Sequence, residues 1–286
     1  MEIIYEQSGN SGGPQKNTKY SNSINMKKIG LFFFISLITS IGYSQDLSLY
    51  KKEWLIKGND TLPYRILLPQ NYQSTKKYPV IFFLHGAGER GNDNEKQLVH
   101  GAKLFLVDSI RKNYPAIVVF PQCGENSFWS SVAFGLDSVT GKRSFEFSAT
   151  AEPTIAMQLL LKLTDKVLKD FPINKKQVYV MGLSMGGMGT FEIVSRKPGL
   201  FAAAIPICGG GSSETAPLLA KTNWWVFHGA KDDVVLPVYS EIMVNALEKV
   251  NASVKYTLYP DANHNSWDAT FAQPTLLNWL FNNKKK

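Results

Sequence analysis

Gln177-Val178-Tyr179-Val180-Met181, followed at once by Gly182-Leu183-Ser184-Met185-Gly186-Gly187, is the stretch on which the fold turns. A short run of β-branched and aromatic residues makes a strand. The glycines after it let the chain double back into a helix and leave the Ser184 hydroxyl exposed at the apex. Small residues are needed two positions either side of Ser184, because a Cβ there would clash inside the strained turn. Glycine and serine also make ordinary turns. The placement between a strand and a helix sets this one apart.

Outward from that junction, strand-like runs alternate with helical periods. Leu47 to Lys57 and Thr61 to Leu68 are two strand-like runs joined by Gly58-Asn59-Asp60, a hairpin signal. Tyr78 to Leu84 is continuously apolar, as befits a strand buried on both faces. Ala116 to Phe120, Val178 to Met181, Ala202 to Ile207, Trp224 to Phe227 and Val254 to Tyr259 repeat that character. From Pro153 to Phe171 the residues Ile155, Leu159, Leu160, Leu163 and Val167 form one helical stripe, with further helices expected over 238–250 and 274–281. This order implies an α/β fold, a mostly parallel central sheet with helices on both faces and an N-terminal antiparallel hairpin. Ligands on such sheets bind beyond the carboxyl ends of the strands.

At 286 residues and 44% hydrophobic, the chain can bury a large core as one domain over 45–286. The net charge of +8 is scattered, and no basic stripe interleaves with aromatics, so nucleic acid is not an expected partner. No Cys/His cluster has metal-ligand spacing, so neither metal nor cofactor is expected. Cys123 and Cys208 are the only cysteines and are expected as free thiols. Nothing in the sequence fixes the oligomeric state.

The first 44 residues read as targeting. Residues 1–25 look like a disordered upstream extension. Met26-Lys27-Lys28, taken as the working start, then opens a charged region, an apolar run from Ile29 to Ile41, and Gly42 and Ser44 as a small-x-small cleavage site. Residues 26–44 are therefore expected as a signal peptide; an uncleaved anchor is the alternative, against which the run is short for a hydrocarbon core of about 30 Å. The expected location is secreted or periplasmic, without stable membrane association after cleavage.

A serine hydroxyl becomes a useful nucleophile only when an imidazole takes its proton and a carboxylate fixes that imidazole's tautomer. After the strand Trp224 to Phe227 comes His228-Gly229-Ala230-Lys231-Asp232-Asp233, and after the strand ending at Tyr259 comes Pro260-Asp261-Ala262-Asn263-His264. Asp232 and His264 thus follow late strands on the face that carries Ser184. Asp233 is an open alternative to Asp232, and Asp261 a weaker one. Acyl chemistry also needs donors for an oxyanion. The N–H of Met185 is one. The loop His85-Gly86-Ala87-Gly88-Glu89-Arg90-Gly91 should offer the other from Ala87, with Gly88 as the fallback. His85 is expected to hydrogen-bond within that loop.

The motifs at 85–91, Phe120-Pro121-Gln122-Cys123, 182–187, 227–232 and His264-Asn265-Ser266-Trp267 together resemble the secreted bacterial esterases of the α/β-hydrolase superfamily. The nearest subgroup is phospholipase/carboxylesterase-like or polyhydroxybutyrate-depolymerase-like, beside feruloyl and acetyl-xylan esterases. The resemblance spans roughly residues 50 to 283. It implies Ser184, Asp232 and His264 as catalytic triad, with Ala87 and Met185 as oxyanion donors. One departure is Val235-Leu236-Pro237, where the resembling proteins close the acid loop one residue sooner. The expected substrate is a small-molecule or carbohydrate ester. Gln122, Trp129 and Trp267 are candidates for its pocket, and residues 122–150, rich in phenylalanine, for a lid or wall. A prolyl-oligopeptidase-type peptidase and a non-catalytic binding protein on the same fold are the competing readings.

Overall fold

The computed structural model describes residues 46–136, 138, 139, 141 and 143–285. The extension expected over 1–25 and the signal peptide expected over 26–44 lie outside them. β1 (Lys51–Lys57) and β2 (Asp60–Leu67) form the N-terminal hairpin, turning at Gly58 with φ 59°. Leu47–Leu49, read from sequence as strand, is a 3-10 turn, because the Asp46 carboxylate accepts the Ser48 N–H at 2.9 Å and caps it. β3 (Tyr78–Leu84) is followed by α1 (Asp108–Asn113) and β4 (Ile117–Pro121). Next come a separate hairpin, β5 (Val132–Leu136) and β6 (Arg143–Phe147), and the long α2 (Ile155–Asp170), capped by the Thr154 hydroxyl on the Met157 N–H.

β7 (Ile173–Leu183) begins earlier than expected, since its polar residues Asn174 to Gln177 hid the strand's first half. α3 (Met185–Arg196), β8 (Ala203–Ile207), α4 (Ala216–Leu219), β9 (Asn223–Gly229) and α5 (Val238–Lys249) follow. β10 (Val254–Tyr259), α6 (Trp267–Phe271) and α7 (Leu276–Asn282) complete the order.

The sheet runs β1-β2-β4-β3-β7-β8-β9-β10, antiparallel at β1/β2 and β2/β4 and parallel from β4 to β10. Side chains alternate between two cores, as strand geometry requires. Val80, Phe82, Val178 and Val180 face the layer of α2, α3 and α5, whereas Ile81, Phe83, Tyr179 and Met181 face that of α7 and the 98–106 segment. Burial on both faces explains why β3 and the second half of β7 are unbrokenly apolar. Among the described residues, no helix is long and apolar enough to cross a membrane.

Candidate active site

Ser184 sits between β7 and α3 with φ 53° and ψ −118°, a conformation a side chain rarely adopts. The turn is held by the Ser184 N–H donating to the Ile207 carbonyl at 2.9 Å. A Cβ at Gly182 would overlap the Gly186 carbonyl, and one at Gly186 would overlap the Leu84 carbonyl. The glycines are needed because backbone meets backbone there.

His264, in the loop after β10, places Nε2 3.0 Å from Ser184 Oγ and Nδ1 2.8 Å from Asp232 Oδ2. The carboxylate only accepts, so Nδ1 carries the proton and Nε2 is free to accept the serine hydroxyl. Asp232 is buried, and its Oδ1 accepts the N–H groups of Val234 and Val235, each at 2.9 Å. Burial alone would raise the Asp232 pKa. Donors from His228, His264 and Val235 outweigh it and hold the carboxyl well below the usual range. Asp233 is exposed, and Asp261 pairs at the surface with Lys231 at 2.8 Å. Of the three acids considered, the structure brings only Asp232 to His264.

Ala87 and Met185 both line the cavity above Ser184. Met185 opens α3, so its N–H has no carbonyl one turn earlier. His85 is buried and accepts the Cys123 N–H at Nε2, 2.9 Å away. The proton is therefore on Nδ1, which donates to the Gly86 carbonyl at 2.6 Å. In a trans peptide that fixed carbonyl turns the Ala87 N–H the opposite way. Burial drops the His85 pKa to about 4, which keeps the ring neutral.

The cavity holds about 700 Å³. Phe128, Phe134, Phe145, Met188 and Trp267 wall it, and Arg90 lies 4.5 Å over the Phe128 ring while donating to the Ala87 and Glu125 carbonyls. Trp267 stands edge-on to His264 at 5.5 Å. Two of the three expected pocket residues lie elsewhere. Gln122 is buried beneath the 86–91 loop, where its amide donates to the Glu89 carbonyl and Asp93 and accepts the Asn94 N–H. Trp129 is buried against Gly189 and edge-on to His85 at 5.3 Å. Both follow strand ends, but their polar or bulky groups satisfy the scaffold before they reach the cavity. Met188 escaped the sequence reading because a methionine on an apolar helix face looks like core.

Cys123 and Cys208 are free and buried. The Cys208 sulfur, the Asp232 carboxylate and a His264 ring nitrogen lie within 4.8 Å of one another, so these three are the described residues that could group around a metal. Burial, and the Asp232 charge after it, push the Cys208 thiol up, which favours the protonated form over the thiolate a metal needs.

A serine at a strand–helix elbow with its imidazole and carboxylate from later strand ends, on this sheet order, makes the protein an α/β-hydrolase by fold. Residues 58–235 match the esterase family, and the chain belongs to it. A solved structure of a thermostable esterase superposes with TM-score 0.73 at 32% identity, covering 83% of this chain and 64% of that one. The feruloyl esterase module from Clostridium thermocellum superposes with TM-score 0.61 at 17% identity, over 82% of this chain and 89% of that one, a likeness of fold. The bifunctional acetylxylan esterase/xylanase of Neocallimastix patriciarum is 24% identical over 157 residues, or 55% of this chain. The chain spans 20% of that relative's length.

Proposed function

We propose that this chain is a serine carboxylic-ester hydrolase that works through an acyl-enzyme on Ser184. The observation that carries the reading is the hydrogen-bonded line from Ser184 through His264 to Asp232, at 3.0 and 2.8 Å. Ser184 Oγ attacks the ester carbonyl carbon while His264 Nε2 takes its proton, and Asp232 stabilises the imidazolium. The tetrahedral oxyanion accepts from the N–H groups of Ala87 and Met185. Collapse expels the alcohol, protonated by His264, and leaves the acyl group on Oγ. Water, deprotonated by the same imidazole, then attacks and releases the acid.

For the substrate, the aromatic wall of Phe128, Phe134, Phe145 and Trp267 suits a flat acyl group or a sugar face. With relatives described as feruloyl and acetylxylan esterases, this supports small acyl, feruloyl or acetyl esters of polysaccharide. No metal or cofactor enters the proposed steps. Export by a signal peptide over 26–44 is part of the proposal, and a mature N-terminus far from Gln45 would refute it. The reading is tested by assaying p-nitrophenyl esters beside aminoacyl-proline anilides. Ester turnover that Ser184→Ala abolishes is expected. Preference for the anilides would make the chain a peptidase, and no turnover of either, without fluorophosphonate labelling, a binding protein.

A further inference from the structure

Asp232 faces two imidazoles. Its Oδ2 lies 2.8 Å from His264 Nδ1 and 3.2 Å from His228 Nε2. His228 lies at the end of β9 with a fully buried side chain. Its protonation at Nε2 is dictated by its neighbours. They are the Val235 carbonyl at 2.8 Å and the Asp232 carboxylate, both acceptors, so Nε2 carries a hydrogen. Nδ1 meets the Ser240 hydroxyl at 2.7 Å, and that hydroxyl lies 2.9 Å from the Gly209 carbonyl. The one Nε2 hydrogen is shared between the Val235 carbonyl, the nearer acceptor, and Asp232 Oδ2, while the one Ser240 hydroxyl hydrogen lies between Nδ1 and the Gly209 carbonyl.

We infer that His228 is a positioning residue, a second imidazole whose Nε2–H holds the Asp232 carboxylate in the orientation and ionised state that His264 requires. The inference rests on the triad reading above. The His228 bond is one of the donors that keep the Asp232 carboxyl ionised against its burial. A carboxylate that accepts from His228 has part of its charge committed there. It is a weaker partner for the His264 imidazolium than one serving His264 alone. Losing the donor therefore does two things. Asp232 is freer to turn, which slows the chemical step, and the surviving Asp232–His264 pair holds a proton more tightly, which moves the acid limb of kcat/KM to higher pH. Other titratable groups at the site are Cys208 after β8, and Glu89, Arg90, His100 and Arg143 around the cavity. Lys231, Asp233, Asp261 and Asp268 are exposed on the acid loop, the His264 loop and α6.

Glutamine at 228 can present an amide N–H near the place of Nε2, whereas asparagine reaches only the place of Nδ1. The test is the pH profile of kcat and KM on p-nitrophenyl acetate for His228→Gln, His228→Asn and Ser184→Ala, with melting curves for each. His228→Gln should stay within about fivefold of the parent, with the acid limb unmoved. His228→Asn should lose roughly 10–100-fold in kcat at similar KM, with the acid limb raised by about half a pH unit or more. Equal losses in both variants with an unmoved limb, or parental kcat in His228→Asn, would reduce His228 to packing. If His228→Asn does not fold, Ser240→Ala leaves Nδ1 without its hydroxyl and should shift the limb the same way by less; no shift overturns the proposal. Turnover surviving in Ser184→Ala sinks the triad reading instead.

Discussion

The loops at the carboxyl end of the sheet and the β5–β6 hairpin overlook the same cavity but are held by different means. The loops are tied to backbone. Ser184 donates to Ile207, Cys208 to Phe227, Ala230 to Tyr259 and Lys231 to Ala262, at 2.8 to 2.9 Å. The hairpin pairs only with itself in its sheet and leans on ring contacts, Phe128 with Phe134 at 4.7 Å and Phe145 with Tyr239 at 5.4 Å. The Phe145 N–H also donates to the Tyr239 hydroxyl at 3.0 Å. A reaction tolerates little misplacement of its acting groups, while selection among substrates needs only a surface of suitable shape. On the proposed reading the sheet core carries the acting groups, and a half-exposed hairpin carries much of the choice among substrates.

Substitutions should divide along that line. The largest effect belongs to Asp232→Asn, expected to lower kcat about 10⁴-fold by leaving His264 in the wrong tautomer, whereas Asp233→Asn stays within about twofold. Equal losses on steady-state assay would mean that the loop holds its acid differently. Gly186→Ala should cost at least about 3 kcal/mol of stability, since the added Cβ meets the Leu84 carbonyl, which cannot move without β3. A denaturant midpoint unchanged from the parent would contradict it. On the hairpin, Phe145→Ala should lower kcat/KM for an aryl-acyl ester about tenfold with little change for an acetyl ester. Parallel losses on both substrates would blur the division.

A further effect, confined to acid pH, concerns His85 on the loop side. Its pKa is depressed from 6.5 to about 4 by burial, so the unfolded chain takes up a proton before the folded one does. Stability contributed by the neutral ring is complete above the unfolded value and is lost as pH falls from 6.5 towards 4, by up to about 3 kcal/mol. His85→Asn should flatten that stretch of the melting-temperature profile. A profile as steep as the parent's would assign the loss to other groups.

Much of the division was legible in the sequence for a physical reason. A strand buried on both faces must be continuously apolar, so β3, β4 and β8 announce themselves, and the elbow glycines are fixed by backbone contact. The acid was ambiguous between Asp232 and Asp233 because adjacent aspartates differ only in direction, which the Val234 and Val235 N–H groups decide by binding Oδ1. The hairpin was visible only as a phenylalanine-rich insertion, since Val132-Ala133-Phe134-Gly135-Leu136 is short and its glycine weakens the strand signal. Gln122 and Trp129 misled because a position after a strand end places a residue near the cavity without aiming its side chain into it. His228 is not legible in this way, for a histidine beside a glycine carries no sign that its ring will meet the acid.

The most direct test of the account is covalent. The protein is incubated with a fluorophosphonate at neutral pH and the modified peptide located by mass spectrometry, beside His264→Ala treated identically. The account predicts a single adduct on Ser184 that forms in the parent and nearly vanishes without the imidazole. An adduct elsewhere, or equal labelling of Ser184 in His264→Ala, would contradict it.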